Sequence, residues 1–141
     1  MIDHIGLAVS DAERSGAFYD QLLAAIGLAR LRTIAPEENG SGGTAHGYGR
    51  AGDDDAFFWI GDNEAVGQGS HVAFRVEKRA LVHAFHAAGL AAGGMDQGGP
   101  GLRPHYGPTY YAAFIIDPDG INVEAVCYAM DVSSEAVSAA P

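Results

Sequence analysis

The feature that most limits what this chain can fold into is an internal repeat. Sliding the sequence by 67 residues sets His4 on His71, Val9 on Val76, Ala17 on Ala84 and Phe18 on Phe85. Ile5/Val72, Gly6/Ala73 and Leu7/Phe74 are conservative pairs in the same alignment. At a slide of 65 the turn Gly52–Asp55 falls on Asp117–Gly120, and Trp59 falls on Glu124. In a chain of 141 residues such a period means two copies of one supersecondary unit.

The unit reads strand, helix, then three strands. In the first copy Ile5, Leu7 and Val9 alternate against His4, Gly6 and Ala8, the pattern of a strand with one face on a core. Ser10 followed by Glu13 is a capping-box signature. Phe18, Leu22, Ala25 and Ile26 then recur at helical spacing, so a helix is expected over 11–26 with Gly27 as its stop. Strands over 28–34, 44–50 and 56–60 follow, separated by polar, glycine-bearing turns. After a connector over 61–70 the pattern restarts: a strand over 71–76, a helix over 77–88 with Gly89 as the stop, and a short strand over 90–93. Residues 94–108 carry so many glycines and prolines that they read as a long loop, able to act as a lid. A strand over 109–116, the turn Asp117-Pro118-Asp119-Gly120 and a strand over 121–128 complete the second copy. The Ala/Ser-rich tail 129–141 reads as loose helix or as disordered chain.

Neither unit is large enough to bury its sheet alone, so the two should pack together. The expectation is an α+β domain over residues 1–128, built from module 1 (1–60) and module 2 (71–128), whose curved mixed sheet surrounds a cavity. Small residues beside the two strand histidines (Gly6, Ala8 and Ala73) leave room there for a ligand.

Charge and cysteine content narrow the partners. Eight Lys and Arg against 18 Asp and Glu give a formal net charge of −10, which repels a phosphate backbone and argues against nucleic acid. No apolar run approaches the roughly 20 residues needed to span a bilayer. The N-terminus lacks the basic-then-apolar pattern of a signal peptide. A single cysteine, Cys127, allows no intrachain disulfide, and a reducing, cytoplasmic setting is the simplest reading.

His4 and His71 occupy equivalent positions opposite the apolar face of their strands, and Glu124 shares a face with Asn122 and Val126 on the last strand. If Glu124 points inward, two imidazoles and a carboxylate converge from three strands, the set that holds a divalent ion and leaves positions open for substrate. The plainer alternative is a hydrogen-bonded structural histidine and a glutamate that is solvated or paired with a cation such as Arg75.

With these residues in view, the opening His4-Ile-Gly-Leu-Ala-Val, the central His71-Val-Ala-Phe-Arg-Val and the closing Asp117-Pro-Asp-Gly-Ile-Asn-Val-Glu124 resemble the vicinal-oxygen-chelate superfamily. That superfamily includes glyoxalase I, extradiol dioxygenases and the fosfomycin- and bleomycin-resistance proteins. The resemblance spans residues 1–128. It implies the glyoxalase/bleomycin-resistance/dihydroxybiphenyl dioxygenase fold, with His4, His71 and Glu124 as ligands of a divalent ion (Fe, Zn, Ni or Mn). Glyoxalase I adds a glutamate ligand on the last strand of its first module. Here that place falls on Trp59, which can neither bind an ion nor accept a proton.

The resemblance therefore implies a metal-dependent enzyme acting on a small oxygen-chelating substrate, by lyase/isomerase or ring-cleaving dioxygenase chemistry. The other class it allows is a metal-free small-molecule-binding or drug-sequestering protein of the bleomycin-resistance type. Trp59 and Phe57 are candidates for an aromatic wall, Arg75 and Arg103 for holding an anionic substrate group, and His105 and Tyr110 for acid/base work. His46, His83 and His86 give less reason for a role, the last two lying on the second helix. Relatives that exchange modules between chains imply a homodimer, with ligands drawn from one chain or from two.

Overall fold

The computed structural model describes residues 1–40 and 42–130. Among these residues ten elements run in the order β1 (Ile5–Ala8), α1 (Ala12–Ala24), β2 (Leu28–Ile34), β3 (Ala45–Arg50), β4 (Phe58–Gly61), β5 (His71–Arg75), α2 (Arg79–Ala91), β6 (Met95–Leu102), β7 (Tyr111–Ile116) and β8 (Asn122–Cys127). The strands form two four-stranded sheets, β1-β4-β3-β2 and β5-β8-β7-β6, one per repeat, and they do not close a barrel. In each sheet the first strand pairs in parallel with the last, and the other pairs are antiparallel. Most of the tail (131–141) lies outside the described residues.

The register tests the repeat residue by residue. Gly6 pairs with Trp59 across β1/β4, and Ala73 pairs with Glu124 across β5/β8. Gly47 stands opposite Trp59 on β3, and Phe114 stands opposite Glu124 on β7. Trp59 and Glu124 are thus structural equivalents, as the sequence alignment had placed them.

Four local expectations change. The cap of α1 is Asp11, whose carboxylate accepts from the main-chain N–H groups of Glu13 and Arg14, while the Ser10 hydroxyl turns to Asp119. Helix α2 runs through Gly89, which is a packing position rather than a stop: a Cβ there would stand 2.8 Å from Ile115 and 3.0 Å from Leu22. The left-handed residue after α2 is Gly93, at φ 96°. This longer helix leaves no strand over 90–93. The stretch read as one long loop contains β6, which stays paired with β7 by shifting register on either side of Gly98. Its glycines and Pro100 mark irregular edge pairing, which alternation in the sequence cannot show.

The core lies on the helix-bearing side of both sheets and is continuous across the modules. Phe58 of β4 meets Phe74 of β5 edge to face at 5.2 Å. Tyr19 of α1 donates to Asp117 at 2.7 Å in a buried contact, and burial pushes that carboxyl above its usual range. Asp119 accepts from the main chain and hydroxyl of Ser10 and from Arg14, tying the β7–β8 turn to the start of α1. The opposite face of each sheet is left open, with His71, Ala73 and Arg75 of β5 and Gly6 of β1 exposed.

Candidate functional site

On the open face of the second module, β5, β8 and the residue just before β7 bring His71, Glu124 and Tyr110 together. Alternation sends Val72 and Phe74 to the core and His71 and Ala73 outward. Ala73 stands opposite Glu124, and its small side chain leaves the space over that strand position to His71 and Tyr110. The Glu124 side chain is only 2 % exposed, so its charge must be met locally. Its Oε1 lies 2.9 Å from His71 Nε2, and its Oε2 accepts from the Tyr110 hydroxyl. Burial, and then the Glu124 carboxylate, push the Tyr110 phenol well above its ordinary value, so it stays protonated and donating.

The tautomer of His71 follows from its other nitrogen. Nδ1 is 2.8 Å from the main-chain carbonyl of Asn122, which only accepts, so Nδ1 carries a hydrogen. A neutral imidazole then has its lone pair on Nε2, facing the lone pairs of Glu124 Oε1 at 2.9 Å. Two acceptors hold that distance only with a cation between them, either a proton shared as imidazolium–carboxylate or a metal ion. Donors at about 2.0–2.2 Å from one ion, meeting it at a right angle, stand about 3 Å apart. The pair therefore fits a divalent ion in kind and in spacing. It does not fit in number. Among the described residues no three His, Cys, Asp or Glu side chains gather closely enough to hold one. The His4 imidazole contacts its neighbour Asp3 at 2.6 Å and is exposed. It lines a pocket of about 240 Å³ with Phe57 and Ala73.

The remaining sequence candidates divide between the two faces. Arg75 stacks on the Tyr128 ring at 4.5 Å and forms no ion pair with Glu124. Arg103 lies over Phe114 at 5.4 Å, and the His71 ring stacks on that same phenylalanine at 6.3 Å. His105 packs on Tyr106 at 4.1 Å and shares with Arg103 a pocket of about 270 Å³ beside Asn122. In the first module Trp59 lies over Gly47, where a Cβ would stand 2.7 Å from the indole, with Arg32 over the ring at 5.9 Å. Phe57 is 37 % exposed at the module boundary.

The other histidines stand apart from this cluster. His83 and His86 bond to Tyr111 and Asp96 from α2. His46 is buried against α1 and bonded to Thr33, and burial lowers its pKa. Sequence reasoning gave no role to Asn122, whose carbonyl orients His71, or to Phe114, on which that ring rests. The signal for Asn122 was its place two residues before Glu124, on the same face. Phe114 had none, because cross-strand partners are fixed by register.

A family model described as the Glyoxalase/Bleomycin resistance protein/Dioxygenase superfamily matches residues 1–125. The chain belongs to this superfamily. Among solved structures, it is similar to a glyoxalase/bleomycin resistance protein from Albidiferax ferrireducens T118 at 30% identity, covering 89% of this chain and 96% of that one with a TM-score of 0.68. It is also similar to an E144Q glyoxalase I mutant from Zea mays at 26% identity and a TM-score of 0.65, over 89% of this chain but 46% of the maize chain. The chain thus spans about half the length of that maize enzyme. A glyoxylase/bleomycin resistance protein/dioxygenase domain from Frankia sp. EAN1pec shares the fold at 15% identity and a TM-score of 0.68. No curated protein matches the chain. Among the described residues no helix is long and apolar enough to cross a membrane.

Proposed function

We propose that this superfamily member is a divalent-metal-dependent enzyme acting on a small substrate with adjacent oxygens, and that His71 and Glu124 are two of its ligands. The observation that carries the reading is the convergence of His71 Nε2 on the buried Glu124 Oε1 at 2.9 Å, with His71 Nδ1 committed to the Asn122 carbonyl. Such a carbonyl partner is the usual outer support of a ligating histidine. His4 is the third ligand, supplied by a second copy whose first-module face covers this one. The open faces of both sheets favour such a homodimer, because each leaves aromatic surface uncovered, with Phe57 on one module and Tyr128 on the other. The bound ion supplies Lewis-acid stabilisation of negative charge developing on the substrate oxygens. Tyr110, held protonated against Glu124, is the proton donor nearest the pair, and His105 lies across the adjoining pocket. Trp59 and Phe57 form the aromatic wall brought by the covering module. The single, buried Cys127 and the acidic charge suit a reducing cytoplasm.

A second reading has one observation in its favour. His71 and Glu124 also satisfy each other as an imidazolium–carboxylate pair, and with Trp59 at the equivalent first-module position the chain then serves as a metal-free binder of small molecules. Measurement of bound divalent ion, by elemental analysis and calorimetric titration, separates the two. The metal reading expects stoichiometric uptake that weakens by about 100-fold or more in His71→Ala and in Glu124→Gln, since changes in the outer shell alone cost 10–100-fold. Wild-type protein that takes up no ion leaves only the binding module.

A further inference from the structure

Beside the His71–Glu124 pair, the second module holds a guanidinium that has been fixed in place without being neutralised. Arg103 Nη1 donates to the Gly101 carbonyl and Nη2 to the Gly99 carbonyl, each at 2.8 Å. Both carbonyls belong to β6, so these bonds pin the fork back against the strand that precedes Arg103. Each Nη retains a second hydrogen and Nε retains its own, so three donors remain. No carboxylate pairs with Arg103 among the described residues. The pocket of about 270 Å³ that it lines with His105, Gln97, Tyr106, Phe114 and Asn122 contains no acidic side chain. In a protein of net charge −10 such a spot is a local exception.

Its position gives the exception a purpose. Phe114 carries Arg103 and also stacks under His71, and Asn122 both lines the pocket and orients the His71 ring. A ligand in the pocket therefore lies beside the two residues that hold the His71 ring, Phe114 beneath it and Asn122 at its Nδ1, while His71 and Glu124 themselves stand outside the lining. We infer that this pocket is an oxyanion subsite, in which Arg103 binds a carboxylate or phosphate group of the molecule whose reacting oxygens lie at His71 and Glu124. The link to a reacting molecule rests on the function proposed above; the oxyanion subsite itself does not.

The chemistry favours this occupant over an apolar one. A planar fork presents parallel N–H donors that match two oxygens of a carboxylate or phosphate, and bonds of this charge-assisted kind are about twice as strong as neutral ones. The two glycine carbonyls hold the fork before a ligand arrives, so less side-chain freedom is lost on binding. Arg75, the other candidate from the sequence, does not compete for this role, because its guanidinium is laid on Tyr128.

The test compares lactate with its neutral isostere lactamide, and inorganic phosphate with both, by calorimetric titration of the full chain in ion-loaded and chelator-treated forms. Lactate or phosphate should bind about tenfold or more tightly than lactamide in both forms, the scale of one charged hydrogen-bond pair. Arg103→Gln should bring that preference to within about twofold, Arg103→Lys should keep part of it, and divalent-ion uptake should stay unchanged in both variants. Preference for lactate alone assigns the group as a carboxylate, and preference for phosphate assigns it as a phosphoryl group. An Arg103→Gln protein, folded by circular dichroism, that still prefers the anions overturns the inference, and so does a wild-type protein with no preference. If the anions bind through Arg103 but no ion is taken up, the subsite stands and the metal reading falls.

Discussion

The two modules share strand order, helix placement and register, yet they furnish their open faces in opposite ways. At equivalent positions on the central strand, the first module has Trp59 and the second has Glu124. One strand over, the first has Gly47, over which the indole lies, and the second has Phe114, which supports His71. The aromatic ring has in effect moved across one strand, and the carboxylate occupies the space it leaves. On the helix-facing side the first module buries His46 where the second has Ala113. The backbone of the repeat is set by what faces the helices, and the open faces are free to diverge. The interacting polar side chains of the open faces, His71, Glu124 and Tyr110, therefore lie on the second module, while the first presents Trp59 over Gly47.

If the cores are as alike as the registers, equivalent deletions should cost alike. Phe18 of α1 and Phe85 of α2 are repeat partners, both essentially fully buried in the one continuous cluster. Phe18→Ala and Phe85→Ala should each destabilise the chain by about 3–5 kcal/mol, in a single urea transition followed by circular dichroism. Two separated transitions in either variant would mean that the modules fold as independent units. The comparison would then be between neighbours rather than halves of one core.

The equivalence of Trp59 and Glu124 can be tested by restoring a carboxylate. Trp59→Glu places one where its counterpart stands, on a half-exposed strand position that tolerates the smaller side chain. Under the metal reading the variant should gain divalent-ion affinity by about tenfold, equivalent to about 1.4 kcal/mol, measured by competition with a chelating dye. Unchanged affinity would place the first-module face away from the ion and weaken the case for a shared site.

The repeat, the strand–helix order and the equivalence of Trp59 with Glu124 were legible in the sequence, because apolar alternation and turn chemistry record which face meets the core. Edge pairing was not legible. The glycines of β6 hide its alternation, and Gly89 looks like a stop until the side chains of Leu22 and Ile115 are seen against it. Of the site, the convergence of His71 and Glu124 follows from their strands. The place of His4 depends on how one module face meets another, and no periodicity encodes that. Arg103 was readable as a loose cation on a loop. Its anchoring to the Gly99 and Gly101 carbonyls is local, two and four residues back, but it depends on the irregular path of β6 around Gly98, which a run of glycines does not reveal.

The smallest difference between the modules is at the start of their helices. Asp11 caps α1 with two side-chain bonds to main-chain N–H groups, whereas Lys78 occupies the same place before α2 and makes none. Loss of the first cap in Asp11→Ala should cost about 1 kcal/mol. Lys78 already has the extended backbone of a capping residue, at φ −133° and ψ 143°, so Lys78→Asp needs no rearrangement to accept from the first turn. It also replaces a positive charge at the positive end of the helix dipole with a negative one. A gain of about 0.5–1 kcal/mol is expected from these two effects, read as a higher urea midpoint at unchanged slope. If the midpoint stays put while Asp11→Ala lowers it, the N–H groups at the start of α2 already have partners, and the two helices differ in how their ends are satisfied rather than in whether they are.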